Sequence, residues 1–369
     1  MIIRTITCHH SFNHGAMLQA YALLTYLQSL GHDAKVIDYR PPYMPVLHIN
    51  FNWVPSEYNY IGIKHLYRAL KLPYLKVEQK RRNALERFFN DFISITDTNY
   101  QSIDDLRSNP PKADLYIAGS DQIWNTTFKN GLDPAYYLDF GTPKRKISYA
   151  ASFATPRLVH GTELFVKNQL GNLDSISVRE ASGKKLLSEL GYNGTIVVDP
   201  VFLLTREQWD VFDCPSRVND RYILIYDFEK KDSPIETIAK RLARLADCKV
   251  YSVSPFKRRY ADKSFVDVGP DVFVSLVKHA QCVISNSFHG TAFSMIYGVP
   301  FFVVNRIDGL NARMQDLLNH YGLTERLVSL DASDELLMRD IYYKSVHEQL
   351  KLDIEKSKFF LSQQLELAK

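Results

Sequence analysis

Nothing in the chain approaches the roughly 20 consecutive apolar residues that a membrane-spanning helix needs, although 46% of the 369 residues are hydrophobic. Cysteine is scarce. Cys8, Cys214, Cys248 and Cys282 stand far apart, without the spacing of a metal site or a disulfide framework. Free, largely buried thiols fit the cytoplasm, and the opening MIIRTITCHH is too short and polar for a signal peptide. Charge of one sign is also lacking. A net +4 argues against wholesale nucleic-acid binding. The expectation is a cytoplasmic protein, at most attached to a membrane surface. Its length exceeds one typical core, so two domains are expected.

What is present is an alternation of short β-branched runs and helical patterns, the mark of parallel α/β sheets. The first half carries expected strands at Ile2–Thr7, Ala34–Asp38, Leu115–Ala118, Lys146–Ala150, Ser175–Val178 and Thr195–Val198. A helix over Ala16–Leu30 is marked by Leu18, Tyr21, Ala22, Leu24 and Leu27 at helical spacing. The pattern restarts with Tyr222–Tyr226, Lys249–Val253, Ser264–Asp267, Cys282–Ser285 and Phe301–Val304. The expected architecture is α/β, two Rossmann-like domains facing a cleft, in the glycosyltransferase-B-like manner. The N-terminal domain is placed at residues 1–205, the C-terminal domain at 206–339, and a closing amphipathic helix at 340–369. Asp199-Pro200 reads as part of the connection.

An insertion at 41–91 is aromatic and basic, with Tyr43, Trp53, Tyr58, Tyr60, Tyr67 and Tyr74 followed by Lys76, Lys80, Arg81 and Arg82. Between Gly62 and Arg87 there are eight basic residues against two acidic ones. Such a stretch suits an anionic membrane or an acidic glycan. A solvated insertion helix is the plainer alternative.

Three turns follow buried strands, where ligands of open α/β sheets bind. The most informative is Asn286-Ser287-Phe288-His289-Gly290-Thr291, between an expected strand and a helix opening at Gly290 or Thr291. Free N–H groups at a helix start attract anions, and His289 adds a proton. An ordinary capped turn is the alternative. The first turn offers Asn13, His14 and Gly15 at the cleft mouth, with Gln19 one turn further on, although capping alone explains Asn13. No carboxylate spacing beside the three nearby histidines supports a metal, so none is expected. The run Ser120-Asp121-Gln122-Ile123-Trp124-Asn125 presents a carboxylate, amides and an indole, a combination that sugar sites need. A helix cap and a core tryptophan are the alternatives. Arg179-Glu180 ends another strand, and Arg suits bidentate carboxylate or phosphate recognition, with a simple Arg–Glu surface pair as the alternative. Arg306 and Arg313 are weaker anion candidates.

The ordered set NHGAMLQAYAL (13–23), GSDQIWN (119–125), SYAASF (148–153), ISVRE (176–180), VDPVFLL (198–204) and SFHGTAFSMIYGVPF (287–301) resembles the polysaccharide pyruvyltransferase family, over roughly Met1 to Leu327. The resemblance implies metal-free transfer of pyruvate from phosphoenolpyruvate, a co-substrate rather than a cofactor, to two sugar hydroxyls, forming a cyclic ketal. His289 matches the family's histidine and Arg179 its cleft arginine. His289 would be the general acid, Arg179 the clamp on the donor and Asp121, or in its place Asn13, His14 or the leaving phosphate, the acceptor of a hydroxyl proton. Many members carry an arginine where this chain has Ser287. Either the serine with helix N–H groups suffices for the phosphate, or Arg306 or Arg313 supplies the charge, or the donor is different. A glycan or a polyprenyl-diphosphate-linked oligosaccharide is the implied acceptor, reached by peripheral contact with the inner face of the cytoplasmic membrane. A nucleotide-sugar glycosyltransferase of the same architecture is the runner-up, and a non-catalytic glycan-binding protein the third reading.

Overall fold

The computed structural model describes residues 1–11, 13–44, 63–215, 220–229, 233–306 and 311–369. Residues 45–62 of the aromatic insertion, including Trp53, Tyr58 and Tyr60, lie outside the described residues.

The first half runs β1 (Ile2–Ile6), α1 (His14–Ser29), β2 (Asp33–Tyr39), α2 (Ile63–Phe92), β3 (Ile95–Tyr100), α3 (Ile103–Ser108), β4 (Leu115–Ala118) and β5 (Arg145–Ser148). It continues with α4 (Glu163–Leu170), β6 (Ser177–Val178), α5 (Ala181–Glu189) and β7 (Thr195–Ile196). The second half runs α6 (Arg206–Trp209), β8 (Tyr222–Tyr226), α7 (Ile235–Ala246), β9 (Lys249–Val253), β10 (Lys263–Phe265) and α8 (Pro270–Lys278). Then come β11 (Cys282–Ser285), α9 (Phe288–Tyr297), β12 (Phe301–Val303), α10 (Ala312–His320), α11 (Asp334–Leu337) and α12 (Tyr343–Leu367).

Each half holds one five-stranded sheet, in the orders β3-β2-β1-β4-β5 and β10-β9-β8-β11-β12. All the pairings are parallel. Strands covered by helices on both faces read as near-continuous apolar runs, and β4, β8, β11 and β12 are buried along their whole length. The strands β6 and β7 form a short separate ladder, joined to β5 and the residues after it by single bridges such as Ala151 with Val178.

Strand β3 departs from the sequence reading. Its ITDTNY segment is mostly polar, and only Thr96 and Tyr100 are buried, as suits a sheet edge. Helix α9 opens at Phe288 rather than at Gly290 or Thr291. Three of the four cysteines, all free, are half-buried rather than buried.

One apolar cluster runs through both halves, from Ile3 and Leu18 to Phe273 and Phe293. Helix α12 returns to the first half. There Ser357 Oγ accepts the Val198 N–H (2.9 Å) and Arg145 Nε donates to Gln364 (2.9 Å). No helix among the described residues is long and apolar enough to cross a membrane.

Candidate active site

The carboxyl ends of β1, β4 and β6 in one sheet system, and of β11 in the other, converge on a buried ionic cluster. Arg179 follows β6 directly. Its Nη1 donates to the Asp199 carboxylate, its Nη2 lies 3.3 Å from Asp121 Oδ1, and its Nε lies 3.9 Å from Glu180. The guanidinium sits over the Phe288 ring, 4.4 Å from its centre. Arg313, in the first turn of α10, brings Nη1 to 3.5 Å from the same Asp121 oxygen. Asp121 is turned into the cleft by a left-handed backbone (φ 71°) after the Gly119–Ser120 turn. Glu180 is fixed by Ser152 Oγ (2.8 Å) and by the N–H groups of Phe153 and Ala154.

His289 enters from the other half, as the second residue of α9. Its Nε2 lies 3.7 Å from Asp199 Oδ2 and has no hydrogen-bond partner among the described residues. Its Nδ1 edge rests against Gly15 in the first turn of α1, so a Cβ on Gly15 would come within 2.0 Å of Nδ1.

Burial and mutual contact set the protonation states. Burial pulls the His289 imidazole below its ordinary value. Asp199 and Asp121 oppose this, while Arg179 and Arg313 add to it. Burial also acts against the charge of Arg179, but Asp199, Asp121 and Glu180 hold its guanidinium above the usual range. Burial and the adjacent Arg179 bring Arg313 down to about 10. Burial would raise Asp121, yet Arg179, Arg313 and His289 together hold it low. Burial raises Glu180 in spite of its arginines and hydrogen bonds. Buried ion pairs are costly to desolvate and contribute little net stability. A cluster of six such groups at a domain junction therefore points to chemistry. The side-chain atoms Arg179 Nε, Arg313 Nε and Glu180 Oε2 also lack hydrogen-bond partners among the described residues. Beside them a cavity of about 260 Å³ opens between the halves. Arg179, Asp199, Phe288, Arg313, Leu317 and Tyr321 are among its lining residues.

The other sequence candidates fall elsewhere. Asn286 does not face the cluster. It donates to Asp227 (2.6 Å) and accepts the Phe228 N–H, tying β11 to β8. Ser287 caps α9 only through its backbone, and its N–H donates to Ser285 Oγ (2.9 Å). Gly290 lets that same Ser285 hydroxyl approach, and Thr291 is buried in the first turn. Arg306 lies over the Phe228 ring, near enough to Arg313 to help depress it.

On the first-half side, Asn13 is the α1 cap, accepting from Gly15 and Ala16. His14, expected at the acceptor, is instead a pin between the halves. Its Nε2 bonds the Val268 carbonyl (3.1 Å), and its ring stacks on Phe273. Gln19 is buried and ties α1 to Thr7 and to the Ser120 N–H. Ser120 is also fully buried, its hydroxyl on the Ala150 carbonyl. Trp124 is a core residue. It is completely buried, stacked on Tyr137 and bonded to the Tyr136 carbonyl, so it offers no face to a sugar. Asn125 is buried and bonded to Gln122 and Thr127. Gln122, which accepts that bond, remains half-exposed beside Asp121.

Two contributors went unrecognised in the sequence. Asp199 reads in the sequence as part of the connection, although the VDPVFLL motif contains it. Phe288 is an aromatic beside the histidine whose role appears only in its stacking on Arg179.

Known proteins frame this geometry. Among solved structures, an S. aureus MnaA–UDP co-structure aligns with TM-score 0.51 and 13% identity, over 99% of this chain and 97% of that one. A putative UDP-N-acetylglucosamine 2-epimerase from Listeria monocytogenes aligns with TM-score 0.49 and 11% identity (100% and 90%). The spinosyn forosaminyltransferase SpnP aligns with TM-score 0.47 and 12% identity (100% and 98%). What this chain shares with the S. aureus structure is the fold, two Rossmann-like domains facing a cleft in the glycosyltransferase-B manner. No curated protein sequence matches. The family model for polysaccharide pyruvyl transferase matches residues 13–309, which span every cluster residue except Arg313, and the chain belongs to that family.

Proposed function

We propose that the protein moves pyruvate from phosphoenolpyruvate to two hydroxyls of a sugar, in a surface polysaccharide or its lipid-linked precursor, closing a cyclic ketal. The observation that carries this reading is the meeting of His289 with Arg179 and Arg313 across the cleft of a chain in this family. Phosphoenolpyruvate is a compact polyanion, and it needs cations for its carboxylate and phosphate and one proton for its methylene carbon.

Both arginines are partnered by carboxylates. The incoming donor replaces part of that partnership. Its negative charge also raises the proton affinity of the neutral-leaning imidazole. His289 then protonates the methylene, and the central carbon becomes electrophilic. One sugar hydroxyl adds there, the bond to phosphate breaks, and the second hydroxyl closes the ring. Of the two hydroxyl protons, one replaces the proton spent on the methyl group and the other leaves with phosphate. Asp121, held ionised, is a weak base and orients the acceptor hydroxyl. The two-domain cleft supplies proximity.

Incubation with phosphoenolpyruvate and lipid-linked or polymeric glycans tests the reading. The expected result is phosphate release matched by the mass gain of one pyruvate ketal per acceptor. Consumption of a nucleotide sugar instead would make the protein a glycosyltransferase. Glycan binding with no consumption of either donor would make it a binding protein.

The same reading brings the acceptor to the inner membrane face. Along α2, Leu70, Leu72 and Tyr74 are exposed beside Lys76 and Lys80. Arg81, Arg82 and Arg87 are paired with Glu78, Glu86 and Asp271, which removes much of the local positive charge. Each remaining lysine contributes roughly 1 kcal/mol near an anionic surface. Weak docking that salt abolishes is expected in vesicle co-sedimentation. Absence of binding at low salt makes α2 an ordinary solvated helix.

A further inference from the structure

Asp199 has no part in the steps above, yet it touches both of their principal residues. Its carboxyl is fully buried. The Val201 N–H donates to Oδ1 (3.1 Å) as Asp199 caps the single turn Pro200–Phe202, and this fixes the carboxylate plane. Oδ2 accepts the Arg179 guanidinium and lies 3.7 Å from His289 Nε2. Arg179 belongs to the first half and His289 to the second. Asp199 sits at the end of the first, just after β7.

We propose that Asp199 is a positioning residue that registers His289 against Arg179 across the cleft and holds the imidazole ready to carry a proton on Nε2. The proposal rests on the pyruvyl-transfer reading for its catalytic consequence, but its geometry stands alone. The Nδ1 edge of His289 rests against Gly15, and Nε2 is buried with no hydrogen-bond partner among the described residues. A separation of 3.7 Å is too long for a hydrogen bond. Nε2 therefore keeps a free direction, while the carboxylate favours its protonated form. The other charged groups facing the ring are Asp121, which acts in the same sense, and Arg179 and Arg313, which oppose it. Asp199 also competes with the donor for Arg179, so it trades donor affinity for a charged acid.

The test uses the full chain with Asp199→Asn, which keeps size and acceptor oxygen but removes charge, and Asp199→Glu, which keeps the charge. The expected result for Asp199→Asn is a kcat lower by roughly 10²-fold with an unchanged or smaller KM for phosphoenolpyruvate. In the ligand-free protein, the His289 titration followed by NMR should move to lower pH. Asp199→Glu should restore the titration while kcat stays reduced. The titration separates the two ideas, because it moves whether or not phosphoenolpyruvate is the donor. An unmoved titration in the asparagine variant, or a wild-type kcat and KM, would overturn the proposal. So would a lost kcat accompanied by a greatly raised KM, which would make Asp199 a donor-binding group.

Discussion

Gly15 and His289 meet across the two halves of the molecule, and the place where a Cβ on Gly15 would stand is already within 2.0 Å of the imidazole Nδ1. Glycine is needed there for close approach and not for an unusual backbone, since Gly15 lies in the first turn of α1.

Gly15→Ala is therefore expected to act in two opposing ways. Alanine favours a helix by up to about 1 kcal/mol, while overpacking costs about 1–3 kcal/mol. The clash prevails, and relief comes by displacing His289. Turnover should fall by at least about tenfold, while the melting temperature drops by only a few degrees. Unchanged turnover would show that the ring moves freely.

Arg313 gives a second expectation. It is buried beside Arg179, and its guanidinium is already depressed to about 10 by burial and by that neighbour. A charged hydrogen bond is worth about 1.5–3 kcal/mol. Arg313→Gln should raise the KM for phosphoenolpyruvate by about ten- to a hundredfold and affect kcat less. Steady-state kinetics at fixed acceptor checks this.

His14 makes stability depend on pH. Burial holds its imidazole down to about 4, against the hydrogen bond to Val268, which favours the charged form. A histidine depressed in the fold contributes stability that is complete above its unfolded value near 6.5. That contribution is lost as pH falls through the folded value. Between about pH 6.5 and 4 the loss is on the order of 3 kcal/mol. His14→Gln should be less stable than wild type at pH 7.5, and its denaturation midpoint should fall less between pH 7 and 4.5.

A fourth expectation concerns metal. Among the described residues no group of three His, Cys, Asp or Glu side chains could hold an ion. The proposed activation needs only a proton, so turnover should persist in EDTA. Loss restored by a divalent cation would contradict the mechanism.

Much of this architecture is legible in the sequence because strands buried on both faces must be short apolar runs, as LYIA and CVIS are. Strand β3 is not legible, since an edge needs few buried positions and ITDTNY buries only Thr96 and Tyr100. Among site residues, Arg179 follows β6 directly and His289 lies in the first turn of the helix after β11, where the sheet geometry itself directs them to the cleft. Trp124 misleads for the opposite reason. Beside Asp121 an indole resembles a sugar platform, but its neighbours Tyr137 and Phe153 come from elsewhere in the chain and enclose it. Asp199 was hidden because Asp-Pro also reads as a turn, which it is. Its second use depends on Arg179 and His289, 20 residues before and 90 after, and local pattern carries no trace of that pairing.

The most direct test of the central claim is mass spectrometry of the acceptor glycan after incubation with phosphoenolpyruvate in deuterated water. Wild type should release phosphate and yield a pyruvate ketal whose methyl group carries one deuterium, delivered by His289. His289→Gln, which can hydrogen-bond but cannot deliver the proton, should be slower by about 10²–10⁴-fold with its fold intact. Wild-type protein that leaves phosphoenolpyruvate untouched while modifying the glycan from another donor would contradict the account, as would a glutamine variant that turns over at the wild-type rate.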